Sequence, residues 1–170
     1  MAKFVIEVLS CVNNLKFGAT AKEVHKTFGS DFRKYTEELS DSSKNFIFEV
    51  TKRMAEMTGK SIEEFTRYDN DNEFDSDPCD YYSFCKIDYD DNGRFDAIEI
   101  YSDQESELIV DGKDFSDFEL KKLLTLADDF VSEENNTSYT SYTKQIGIWC
   151  PDGNDRVECV LFGKPGYYQS

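Results

Sequence analysis

A single histidine, His25, serves all 170 residues, and that scarcity removes most imidazole chemistry at the outset. Neither a histidine-dependent nucleophilic triad nor a histidine-bearing zinc site can be assembled convincingly from it. Positive charge is also short, since 19 basic against 35 acidic side chains leave a net charge of −16 and a pI near 4.4. Such a surface repels phosphate, so the counterion release that drives nucleic-acid binding is absent and an anionic membrane is an unfavourable neighbour. No run of residues approaches the roughly 18 apolar positions of a membrane span. The opening MAKFVIEVLSC lacks the apolar length and cleavage site of a signal peptide, and no glycine-rich phosphate loop occurs. The five cysteines, Cys11, Cys79, Cys85, Cys150 and Cys159, are odd in number and irregular in spacing. They argue against a disulfide framework and for a reducing, cytoplasmic compartment.

What the chain does hold is aromatic surface: 14 Phe, 10 Tyr and one Trp. That is too much for a disordered acidic tail, and the length suits one domain with a real core. Charge is unevenly spread. Residues 1–67 carry 11 basic and 10 acidic side chains, whereas residues 68–170 carry 8 and 25.

Residues 4–12, rich in Val, Ile and Phe, read as a strand or extended lead-in. Thr20 and Glu23 form a capping box that opens a helix over 20–28, closed by Gly29, with His25 expected on its solvated face. Phe46, Val50, Met54 and Met57 recur on one face and predict a helix over 42–58; Ser61 to Glu64 is a second capping box. Two aromatic and β-branched runs, 81–89 and 94–101, flank Asp90-Asp91-Asn92-Gly93, which predicts a hairpin with positive φ at both central residues. A short strand is expected over 107–110, ending at Asp111-Gly112. Ser116 and Glu119 form a third capping box ahead of Leu120, Leu123, Leu124, Ala127 and Phe130, predicting a helix over 117–131. Strands over 142–149 and 156–162 make a second hairpin around 150–155. The pattern predicts a single α+β domain over 1–170, mainly antiparallel sheet with helices on one face. It further suggests a duplicated helix-plus-hairpin unit, with tandem halves 1–101 and 102–170.

The sharpest local motif is Asp88, Asp90, Asn92, Gly93, Asp96 and Glu99, which fill calcium-loop positions. Strand-like flanks contradict the helices such a loop needs, so a solvated Asn-Gly hairpin is the favoured reading and a calcium-responsive binding protein through 88–99 the alternative. Cys150 and Cys159 flank the second hairpin and read as small buried hydrophobes. No catalytic residue, metal ligand or cofactor is assigned, and the chain is not expected to be an enzyme. The remaining feature is the tract 69–80, with six carboxylates and no base. Its Asp69, Asp71, Glu73, Asp75, Asp77 and Asp80, with Phe74 and Tyr81 as anchors, form a candidate docking surface for a basic protein. Carboxylates would steer the encounter and buried rings would hold it. Glu133 with Glu134 and the outward carboxylates of the first hairpin are the competing candidates, and the exposed sheet face is the location expected should the tract be only a solvated loop.

Two stretches carry a resemblance: Asn14-Leu-Lys-Phe-Gly through Thr27-Phe-Gly29, and Ile146-Gly-Ile-Trp149 with Arg156-Val-Glu-Cys-Val-Leu-Phe162 and Gly166-Tyr-Tyr168. They resemble bacterial immunity proteins of polymorphic-toxin and contact-dependent growth inhibition loci. The element also looks like the tandem α/β modules of outer-membrane assembly lipoproteins and β-lactamase inhibitor proteins, although no lipobox is present. The resemblance implies a cytoplasmic protein that neutralises a cationic toxin, most plausibly a nuclease, by stoichiometric binding, and it transfers no site residues. A DNA-mimicking phage inhibitor of a host nucleic-acid enzyme is the second alternative.

Overall fold

The fold is described from a computed structural model for residues 2–34, 79–102, 106–132, 136–151 and 155–169. The expected helix over 42–58, the Ser61 capping box and the tract residues before Cys79 lie outside them. Strand β1, Ala2–Glu7, alternates Phe4 and Ile6 inward with Lys3, Val5 and Glu7 outward. The expected single segment to Val12 is broken by a turn at residues 8–10, and β2, Cys11–Val12, folds back on β1. Asn13 and Asn14 both take positive φ, 50° and 65°, the backbone of a two-residue hairpin turn into β3, Leu15–Lys16. The Asn13 amide then stitches the edge of β1, accepting from the Val5 N–H at 2.7 Å and donating to the Lys3 carbonyl at 2.9 Å.

On its other side β1 pairs in parallel with β8, Ser106–Val110, in register from Ala2–Ser106 to Ile6–Val110. The Asp111-Gly112 turn, both residues at positive φ, returns the chain as β9, Lys113–Asp114. The order of this five-stranded sheet is β3-β2-β1-β8-β9.

A second sheet of eight strands is antiparallel throughout, in the order β10-β11-β12-β13-β7-β6-β5-β4. Its strands are β4 (Arg33–Lys34), β5 (Cys79–Tyr81), β6 (Cys85–Tyr89), β7 (Phe95–Tyr101), β10 (Val131–Ser132), β11 (Ser138–Ser141), β12 (Ile146–Trp149) and β13 (Cys159–Gly163). Because side chains alternate along each strand, the register decides which rows go inward. Ile87, Ile98, Phe162 and Ile146 make one inward row, and Cys85, Ile100, Val160 and Ile148 the next. These residues join Phe4, Ile6, Leu108 and Val110 of the five-stranded sheet in one buried cluster.

Helix α1, Ala21–Phe28, carries the capping box read from the sequence: the Thr20 hydroxyl accepts from the Glu23 N–H and the Glu23 carboxylate accepts from the Thr20 N–H at 2.8 Å. Gly29, at φ 93°, ends it. The expected helix over 117–131 is far shorter. Here α2 spans only Leu120–Leu123, followed by a 3-10 turn over Leu124–Leu126, and its cap residue Glu119 makes no side-chain cap bond. Ser116 is instead held by the Asp114 carboxylate, and Phe118 takes φ 49°. Beyond the turn, Asp129 leaves the helical path to accept from the Ser141 hydroxyl and the Thr143 N–H, pinning the β11–β12 hairpin. The expected strand 142–149 is correspondingly split. Residues 142–145 form the turn between β11 and β12, with Gln145 at φ 54°. The strand expected over 156–162 starts later, at Cys159.

Several aspartates hold this loop structure and titrate below the usual carboxylate range. The cause is the Arg94 N–H at Asp90, the Ser116 hydroxyl at Asp114, the Lys122 ammonium at Asp117 and the Ser141 hydroxyl at Asp129. A folded-state pKa below the unfolded value contributes stability above the unfolded pKa of about 4, and that stability is lost as pH falls. The advantage of the native chain over Asp129→Ala in urea midpoint is therefore expected to be full at pH 7 and to shrink steadily toward pH 3. An advantage unchanged across that range would contradict this account of the Asp129 bonds.

Candidate functional site

The first hairpin is where the calcium-like spacing falls, and its geometry gives Asp88, Asp90 and Asp96 partners within the fold. Only Gly93 of the turn takes positive φ, 66°, rather than the two central residues expected. The Asp90 side chain accepts from the N–H groups of Asn92 and Arg94. Asp88, 5% exposed, pairs with Lys86 at 2.9 Å and accepts from the Tyr167 hydroxyl at 3.2 Å. Lys164 reaches both Asp90, at 3.2 Å, and Asp96, so an ammonium already lies among these carboxylates. Strands β6 and β7 flank the turn, and among the described residues no group of three or more metal-ligating side chains is gathered.

Of the expected docking residues, Asp69, Asp71, Glu73, Phe74, Asp75 and Asp77 lie outside the described residues. Asp80 and Tyr81 are adjacent on β5 and therefore face opposite ways. Asp80 is 3% exposed, where it accepts from the Tyr89 hydroxyl at 2.5 Å and pairs with His25 Nε2 at 2.7 Å. It cannot act as an exposed steering charge, because its carboxylate is buried and both bonds engage its Oδ2 inside the fold. His25 is corrected with it: the ring is partly buried, stacked on Phe32 at 4.3 Å, and ties α1 to β5 rather than facing solvent. Tyr81 is half-buried, on the outer face beside Lys86, whose Nζ lies 6.0 Å from the ring centre.

That outer face of the eight-stranded sheet gathers the most distinctive surface. The register Lys86–Glu99–Leu161–Gly147–Thr140 makes one row, and Tyr101–Cys159–Trp149–Ser138 the next. The C-terminal Gly166-Tyr167-Tyr168 folds back across it. Gly163 and Gly147 make room for the two rings: a Cβ on Gly163 would stand 2.7 Å from Tyr167 Cβ, and one on Gly147 would collide with the Tyr168 hydroxyl. The Tyr168 N–H donates to Gln145 Oε1 at 2.7 Å, and the two tyrosine rings meet edge to face at 5.1 Å. What stays uncovered is a groove of about 900 Å³ lined by Tyr101, Trp149, Leu161 and Tyr168, with Glu99 and Glu158 among its polar groups and Arg156 also on its wall. Trp149 is 44% exposed.

Burial, then the charge of Glu99, pushes the Cys159 thiol and the Tyr101 phenol up, and burial carries Tyr168 to about 12. These groups are neutral at physiological pH, so the groove offers rings and hydrogen bonds rather than a thiolate nucleophile. All five cysteines are free thiols.

The sequence held a signal for this surface, in that Ile98-Glu-Ile-Tyr101, Ile146-Gly-Ile-Trp149 and Glu158-Cys-Val-Leu161 all alternate. The pairing of β7 with β13, which brings them together, was not readable. Gly163→Ala is expected to destabilise the protein by about 1–3 kcal/mol through overpacking against Tyr167, since the clash falls on the near end of that side chain. Thermal unfolding measures it, and an unchanged midpoint would mean that the two tyrosines do not pack as described.

Comparison of the chain with protein-family models, curated proteins and solved structures returned no match. Among the described residues no helix is long and apolar enough to cross a membrane.

Proposed function

We propose that this chain is an acidic immunity protein that neutralises a cationic toxin, most plausibly a nuclease, by stoichiometric binding. The observation that carries the reading is an aromatic-lined groove on an open sheet face, presented by a chain of net charge −16. Rings with an apolar body and a polar tip are the side chains on which protein interfaces concentrate binding energy, and excess charge of one sign speeds the encounter with an oppositely charged partner. The resemblance of the 14–29 and C-terminal segments to immunity proteins points the same way. The test is genetic and then physical. The toxin domain encoded directly upstream should arrest growth when expressed alone, be relieved by co-expression of this chain, and co-purify with it one to one. Unrelieved arrest, or the lack of any toxin reading frame beside the gene, would remove the reading.

We also infer that the chain is a duplicated unit, with helices on one face of the sheet, where the two described helices contribute to the core. The first strands of the two halves, β1 and β8, pair in parallel, while their last strands, β7 and β13, meet at the centre of the larger sheet. Thr20, which caps α1, bridges Arg94, and Glu119, which precedes α2, bridges Arg156, the arginine at the matching place in the second hairpin. Val24, Leu120 and Leu123 enter the same buried cluster.

A further inference from the structure

Glu99 lines the groove as a half-buried carboxylate. Its cross-strand neighbour Lys86 directs its ammonium to Asp88 at 2.9 Å, and no ion pair reaches the Glu99 carboxylate among the described residues. The neutral groups beside it are the Cys159 thiol, the Tyr101 phenol and the Tyr168 phenol, each raised in pKa in part by the Glu99 charge, while Lys86 feels that charge from the neighbouring strand and Arg156 lines the same groove. A half-buried carboxylate in a groove that Tyr101, Trp149 and Tyr168 also line, in a chain that repels other anions, is complementary to a planar cation. A guanidinium fits better than an ammonium, because it sheds water more readily, forks onto a carboxylate and stacks on rings.

We propose that this groove receives an arginine side chain from a cationic protein partner. Its guanidinium is held by Glu99 beside Tyr101 and Tyr168, and Trp149, two strands away, covers the neighbouring part of the same segment. The proposal rests on the reading that the partner is a basic protein, and it adds which residue of that partner is read and where. Nucleic acid is disfavoured as the occupant by the net charge of −16.

The protein carries its own reporter, since Trp149 is the one tryptophan in the chain. The experiment titrates the full-length protein, at low salt, with a capped five-residue peptide bearing two arginines, following Trp149 emission. The control peptide carries citrulline at both arginine positions, keeping shape and removing charge. Two variants of equal charge change separate the groove from general attraction: Glu99→Gln within it, and Glu107→Gln on β8, in the other sheet, where the native side chain pairs with Lys3. Expected are a saturable response to the arginine peptide, none to citrulline, binding weakened at least ten-fold in Glu99→Gln and within two-fold of native in Glu107→Gln. Equal weakening in both variants, equal response to citrulline, or no saturable response would each overturn the proposal. Circular dichroism of Glu99→Gln must match the native spectrum. If it does not, the same titration of Glu99→Asp and of Tyr101→Phe decides, by whether arginine binding persists where the carboxylate is kept; its loss in both would overturn the proposal. The toxin-rescue test is independent: rescue without peptide binding sinks the groove and spares the function, and peptide binding without rescue does the reverse.

Discussion

Replacing Phe4 by alanine is expected to cost about 3–5 kcal/mol, the range for removing a fully buried phenylalanine. Phe4 is 0% exposed on β1, with its ring 6.4 Å from that of Phe28 on α1 and 5.9 Å from that of Phe84, just before β6. One side chain thus joins the five-stranded sheet, the capped helix and the approach to the larger sheet, and none of these neighbours can close the cavity alone. Against a total stability of roughly 5–15 kcal/mol the loss is large. At about 2–4 °C per kcal/mol for a chain of this size it lowers the melting temperature by roughly 6–20 °C. Val5→Ala, next along the strand but 39% exposed, should stay within about 1 kcal/mol. Urea unfolding of the two variants checks both figures, and a Phe4→Ala loss below 1 kcal/mol would show that β1 is not part of the core.

The contrast between neighbours on one strand also explains which parts of the fold could be read in advance. Signals confined to a few residues carried through. The Thr20–Glu23 capping box, the Asp111-Gly112 turn and the alternation of Ile98–Tyr101 each depend on local backbone chemistry, and each stands where it was expected, although the alternation slips between Ala97 and Ile98, both buried beside an irregularity in the pairing with β6. Failures occurred where a distant partner outweighed local preference. Leu120, Leu123 and Phe130 do have helical spacing, but Asp129 forms bonds to Ser141 and Thr143 that a helix continuing to residue 131 would forbid. Strand β11 reads Ser-Tyr-Thr-Ser, too polar to announce itself, and exists because Ile146–Trp149 offers it a ladder. His25 looked solvated because Asp80 is 55 positions away in sequence. The same holds for the groove: its residues come from β7, β11, β12, β13 and the C-terminal turn, and only tertiary pairing makes them neighbours.

Binding by this protein should therefore separate into two kinetic parts, with different residues behind each. Net charge acts over a Debye length, so reversing Asp69, Asp71 and Glu73 to lysine is expected to slow association by roughly ten-fold at low salt and to flatten its salt dependence. Dissociation is governed by short-range contact. Trp149→Ala and Tyr101→Ala remove rings from the groove, and a loss of about 2 kcal/mol at such a position means dissociation faster by roughly thirty-fold, with little change in association. Surface plasmon resonance with the immobilised toxin domain, run across salt concentrations, reads both constants. Unchanged association of the charge-reversed protein would reduce the tract to a solvated segment. Unchanged dissociation of both ring variants would move the interface off the outer sheet face. The tract and the groove are separately falsifiable, because long-range steering leaves the bound contact intact and the bound contact does nothing for the approach.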